Sequence, residues 1–115
     1  MAQAMKDLLD LYIDEIKGLY GKRLDQVILY GSYARGDSTE GSDVDIMILL
    51  DMDEEELLGN NNELFDATYD FNMNNNVEIM PIAKSLEHFR KWVINYPFYA
   101  NINREGIVLY DAARG

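Results

Sequence analysis

The sequence predicts a small α/β fold, a mixed sheet flanked by helices, in a single domain spanning residues 1–115. Apolar spacing switches back and forth between helical and strand periods along the chain, which is the pattern of alternating helices and strands. The 115 residues, 48% of them hydrophobic, provide material for one core and no room for a second. The absence of cysteine and the single histidine, His88, remove disulfide frameworks, thiol catalysis and Cys/His zinc sites.

Residues 3–20 place Leu8, Leu9, Tyr12, Ile13, Ile16, Leu19 and Tyr20 at three- and four-residue spacing, an amphipathic helix that Gly21 ends. Val27-Ile28-Leu29-Tyr30 reads as a buried strand, followed by a Gly/Ser-rich stretch from Gly31 to Ser42. From Asp43 to Leu50, Val44, Ile46 and Ile48 alternate with Asp43, Asp45 and Met47, a second strand. Asp53 with Glu56 forms a capping-box pattern ahead of Leu57, Leu64, Phe65, Thr68 and Tyr69. Gly59-Asn60-Asn61-Asn62 interrupts this spacing and Asn72 to Asn76 closes it, predicting two short helices or one frayed helix with both Asn patches as loops. Val77 to Ile82, with Pro81 near its end, suits a strand at the sheet edge. Ser85 caps a helix carrying Leu86, Phe89, Trp92, Val93 and Tyr96, stopped by Pro97. A short helical turn around Phe98 to Glu105 then leads through Gly106 to Ile107-Val108-Leu109-Tyr110.

Ten Lys and Arg against 21 Asp and Glu give a net charge of −11, which repels phosphate backbones and argues against a direct nucleic-acid partner. Residues 51–76 hold eight acids and no base, predicting an acidic face that is either simply solvated or docks a basic protein. No apolar run approaches the ~20 residues of a membrane span, and the N-terminus lacks a signal-peptide hydrophobic region, so a soluble, cytoplasmic protein is expected.

The chemistry concentrates in two segments, Gly31-Ser32-Tyr33-Ala34-Arg35-Gly36 and Ser42-Asp43-Val44-Asp45. Strand alternation puts Asp43 and Asp45 on one face, roughly 6 to 7 Å apart along the strand. Two anions that close repel unless a proton or cation intervenes, and an all-oxygen donor set suits Mg²⁺ or Mn²⁺. Gly31-Ser32, directly after a strand, offers backbone N–H groups and a hydroxyl to a phosphate. Arg35 either steadies phosphates or pairs with a local carboxylate; Ser42 either orients Asp43 or caps its turn. Asp37 and Glu40 read as solvated spacer residues and His88 as a surface histidine. Trp92, Tyr96, Phe98 and Tyr99 read as core or subunit contact in preference to a base-stacking platform.

These two segments resemble the G-S-x-A-R-G and S-D-x-D signature of the minimal nucleotidyltransferases of the DNA polymerase β superfamily, and Arg104 to Tyr110 resembles their C-terminal end. The resemblance implies the nucleotidyltransferase fold. It implies two metal ions held by Asp43, Asp45 and a third carboxylate, Glu78, where aspartate is more usual. It also implies nucleotide phosphates held by Gly31 and Ser32 with Arg35 and Ser42, and attack of an acceptor hydroxyl on the α-phosphate of ATP. It further points to the antitoxin of a toxin-antitoxin pair, which transfers AMP to a tyrosine of a HEPN-domain ribonuclease toxin. Two other readings stand beside this one: a binding module that neutralises its partner by occlusion without catalysis, and a small-molecule nucleotidyltransferase.

Overall fold

The computed structural model describes residues 2–114. Helix α1 (Gln3–Tyr20) buries Leu9, Tyr12, Ile13, Ile16 and Tyr20 along one stripe and ends where Gly21 takes φ 57°. A 3₁₀ turn leads into β1 (Leu24–Tyr30), which begins three residues earlier than its apolar run suggests because Leu24 is itself buried and pairs with Leu50. The Gly/Ser-rich stretch is not wholly irregular: its first residues form a single helical turn, α2 (Ser32–Arg35). Strand β2 (Val44–Leu50) follows, with Asp43 just before it.

Helix α3 (Glu54–Asn75) corrects the expectation of two short or frayed helices, since it runs unbroken through both Asn patches. The capping box forms as expected, Glu56 N–H donating to Asp53 Oδ1 at 2.9 Å. The asparagines do not break the helix because their amides turn back onto it: Asn60 Nδ2 donates to the Glu56 carbonyl at 2.8 Å and Asn75 Nδ2 to that of Phe71 at 2.9 Å. Leu57, Leu64, Thr68 and Phe71 supply the buried face that outweighs poor local propensity. Only Asn76 behaves as a breaker, capping the helix at φ 51°, ψ 51°, in the left-handed region that Asn tolerates.

Strand β3 (Ile79–Ser85) is displaced toward the C-terminus relative to the 77–82 expectation, leaving Glu78 immediately ahead of it. The Asn72 side chain sets this boundary by bonding to both backbone groups of Ile79, donating to its carbonyl at 3.1 Å and accepting from its N–H at 3.0 Å. Ser85 caps α4 (Leu86–Trp92) through His88 N–H at 3.2 Å. Pro97 opens α5 (Pro97–Glu105) from a first-turn position, where its missing N–H costs nothing. Ile107-Val108-Leu109-Tyr110 belongs to a fourth strand, β4 (Ile107–Asp111), beyond the three strands read from the sequence.

The sheet order is β3-β2-β1-β4, with β1 antiparallel to both neighbours and β2 parallel to β3. A parallel pair needs a crossover, and α3 provides it. On one face α1 and α3 pack over Val27, Leu29, Val44, Ile46 and Ile48. On the other, α4 and α5 bring Phe89, Tyr99 and Ile102 against Ile28, Met47 and Leu49. β2 is thus buried on both sides from Ile46 to Leu50, and only its N-terminal end, at Asp45, reaches the surface. No helix among the described residues is long and apolar enough to cross a membrane.

Candidate active site

The antiparallel pairing of β1 with β2 sets the end of one strand beside the start of the other, so Tyr30 lies opposite Asp45. A cavity of about 500 Å³ opens there. Its walls come from Tyr30, Gly31 and Ser32, from Arg35 of α2, from Ser42, Asp43 and Asp45, and from Phe98, Asn101, Ile102 and Glu105 of α5. Six of the seven residues singled out in the sequence therefore converge on one concave site, although the two motif segments are separate in sequence.

Gly31 is required by geometry. Its φ is 74°, and a Cβ at that position would collide with Asp45 Oδ2. The turn that enters α2 can lie against the carboxylate only without a side chain. The first N–H groups of α2 have no intrahelical carbonyl to bond, so the turn keeps donors for an anion.

Ser42 caps its turn, as one of its two readings holds. Its Oγ accepts from Thr39 N–H at 2.9 Å while its own N–H donates to the Thr39 carbonyl at 3.0 Å. Arg35 likewise takes the local-pairing role, with Nε donating to Asp37 Oδ2 at 3.2 Å on the exposed side of the loop. Asp37 and Glu40 are both exposed, as solvated spacer residues are, and Asp37 also accepts from Arg35.

Electrostatically the site is short of positive charge. Partial burial raises the pKa of Asp45, the neighbouring charge of Asp43 raises it further, and Arg35 offsets part of the effect. Tyr30 is pushed up to about 12, by burial first and by Asp45 second. Two carboxylates that repel each other beside a serine hydroxyl form an all-oxygen set, which fits Mg²⁺ or Mn²⁺ and fits no soft metal.

Glu78 stands apart. It is exposed and lines an adjoining cavity of about 530 Å³, which shares Ser42 with the first. Its backbone is tied to the site, because Val44 N–H donates to the Glu78 carbonyl at 2.8 Å. Among the described residues, no group of three His, Cys, Asp or Glu side chains is gathered closely enough to hold a metal ion.

Sequence reasoning missed the α5 wall. Phe98, Asn101, Ile102 and Glu105 lie more than fifty positions beyond the motif, and no spacing rule connects them to it. The available signal was Pro97 as a helix start followed by apolar residues at helical spacing. Of the four aromatic residues read as core or contact, Tyr99 is core, whereas Trp92 and Tyr96 are exposed. His88 is at the surface, with its ring Nδ1 3.0 Å from Tyr99 Oη.

The family described as "Nucleotidyltransferase domain" matches residues 9–108. The chain is 38% identical over 99 residues to "Putative protein adenylyltransferase MJ0604" of Methanocaldococcus jannaschii, covering 86% of this chain and 91% of that one. It is 31% identical over 107 residues to "Putative protein adenylyltransferase MJ1305" of the same organism, covering 93% and 72%. In fold it is similar to a "putative nucleotidyltransferase from Sulfolobus solfataricus", with TM-score 0.62, 19% identity and coverage of 97% of this chain and 85% of the other. It is also similar in fold to a chain from a crystal structure described as "the toxin-antitoxin with AMP-PNP", with TM-score 0.57, 14% identity and coverage of 95% and 75%. Motif, topology and this match over most of the sequence agree: the chain belongs to the nucleotidyltransferase domain family.

Proposed function

We propose that this protein transfers AMP from ATP to a hydroxyl of a partner protein, and that the partner is a HEPN-domain ribonuclease toxin that it neutralises by modifying a tyrosine. The observation that carries this reading is the meeting of Asp43 and Asp45 with the Gly31-Ser32 turn in one cavity. Relatives named for protein adenylyltransfer support the reaction class, and the fold shared with a chain from a toxin-antitoxin complex supports the setting.

Asp43 and Asp45 would hold divalent ions, with Glu78, in the adjoining cavity, as the third carboxylate that the family resemblance implies. When bound, these supply charge neutralisation of the triphosphate and polarisation of the attacking hydroxyl. Gly31 and Ser32 bind phosphate oxygens through N–H and O–H donors, and Arg35 stiffens the loop that carries them. The acceptor oxygen bonds to the α-phosphorus as the bond from that phosphorus to the β-bridging oxygen breaks, and pyrophosphate leaves. The hydroxyl proton passes to a carboxylate, a role open to Glu78 as the third carboxylate that the family resemblance implies. Positioning and preorganised charge account for the rate, with no covalent protein intermediate.

Incubation of the purified protein with ATP, Mg²⁺ and the product of the adjacent gene, followed by intact mass spectrometry of both chains, tests the reading. An AMP increment on the partner is expected. The placement of Glu78 in the neighbouring cavity favours one second reading, neutralisation by occlusion. A tightly bound partner with no added mass would establish that alternative.

A further inference from the structure

The sheet face that carries Asp45 continues away from the site. Along β2 this face presents Asp45, Met47 and Leu49, and their partners on β3 are Met80, Ile82 and Lys84. Helices α4 and α5 cover most of this face, Ile82 of β3 included, and leave Met80, beside Asp45, 50% exposed. Ile82 and Lys84 form one wall of a groove of about 630 Å³, and Trp92, Tyr96 and Phe98 form much of the other. Phe98 also lines the catalytic cavity, so the two spaces share a wall. The groove begins at Ile82, two residues along β3 from the partner of Asp45, or about 7 Å away.

The character of this groove differs from that of the rest of the molecule. In a chain of net charge −11, it is lined by Lys84 and by no carboxylate. Lys91 neighbours the groove through Trp92, with Nζ 5.4 Å from the centroid of that ring. Trp92 and Tyr96 are large aromatics left 40% and 48% exposed. An aromatic trough with a lysine and a tryptophan-stacked cation suits an extended peptide that offers carboxylates to Lys84 and Lys91 and a ring to Trp92 and Tyr96.

We infer that this groove is the acceptor subsite: it binds an acidic, tyrosine-bearing segment of the partner protein and delivers its hydroxyl past Phe98 to the carboxylates at Asp43 and Asp45. The inference rests on the transfer reading given above and adds to it the chemistry of the acceptor. The partner segment lies in the groove and over Met80, with its acceptor tyrosine at the Asp45 end and its acidic residues toward Lys84.

Trp92 is the only tryptophan in the chain, so its fluorescence reports the groove directly. The probe is a short synthetic peptide of tyrosine flanked by aspartate and glutamate, compared with a counterpart flanked by lysine. The acidic peptide is expected to shift or quench Trp92 emission in a saturable, salt-sensitive manner, and the lysine counterpart to leave it unchanged. Lys84→Glu is expected to weaken the acidic peptide by about tenfold or more while leaving AMP-PNP affinity, measured by calorimetry with Mg²⁺, within error of wild type. Equal response to both peptides, response to neither, or response to a single-stranded oligonucleotide in place of the acidic peptide would overturn the proposal. Failure of the two readings is distinguishable. Acidic-peptide binding that depends on Lys84, with no AMP on peptide or partner, retains the groove and removes the transfer chemistry. AMP transfer to the partner that Lys84→Glu and Tyr96→Ala leave untouched retains the chemistry and removes the groove.

Discussion

Gly31 and Asp45 are in such close approach that a single methyl group on the glycine would displace the carboxylate. The contact joins the Gly31-Ser32 turn to the start of β2. Gly31→Ala is expected to reduce AMP transfer by about a hundredfold through misplacement of Asp45, and to lower stability by about 1–2 kcal/mol because alanine resists the positive φ. Activity assays alongside urea denaturation of the variant check both effects.

Asp43→Asn and Asp45→Asn keep the side-chain shape and remove the charge. Each is expected to abolish transfer, and because the two carboxylates repel, neither should melt below the wild-type temperature. A variant that retained wild-type transfer would remove that residue from the site assignment.

Glu78→Gln separates the third carboxylate from the other two. With Glu78 as the group that receives the acceptor proton, the turnover number is expected to fall about a hundredfold while AMP-PNP affinity changes little. Unchanged turnover would assign the proton to another group and agree with its position in the adjoining cavity.

Asn72 fixes where β3 begins, and with it the placement of Glu78. Asn72→Ala leaves the N–H and carbonyl of Ile79 without their side-chain partner, at a cost of about 1–3 kcal/mol. Chemical denaturation gives the stability, and a parallel loss of transfer rate is expected because the strand entry is no longer held.

Burial of tyrosines makes the fold sensitive to alkali. Tyr20 and Tyr30 are pushed up to about 12, and Tyr12, hydrogen-bonded to Thr68, is raised beyond them, each chiefly by burial. Folded-state values above the ordinary value of about 10 mean that the stabilisation is complete below pH ~10 and is lost as pH rises through the folded values. Near-ultraviolet tyrosinate absorbance should therefore lag behind that of free tyrosine above pH ~10 and then rise together with unfolding monitored by circular dichroism.

What could be read in advance follows physical locality. The helix at Gln3–Tyr20, the Asp53 and Ser85 caps and the apolar alternation from Val44 are short-range patterns, and the structure contains each, although β2 begins one residue after Asp43. α3 was misjudged because asparagine is a weak helix former in isolation, whereas here a buried face overrides it and the amides bond back along the helix. β4 escaped because its identity as a strand depends on pairing with β1, some eighty positions earlier. The α5 wall of the cavity escaped for the same reason: Phe98 and Asn101 reach the motif only through the packed sheet.

Pro81 sits within β3 at the open margin of the sheet and still pairs with Ile46. A foreign strand seeking to extend the ladder there would meet an absent donor, and molecules sharing so much negative charge repel one another as well. That border of the sheet thus resists runaway polymerisation by strand addition.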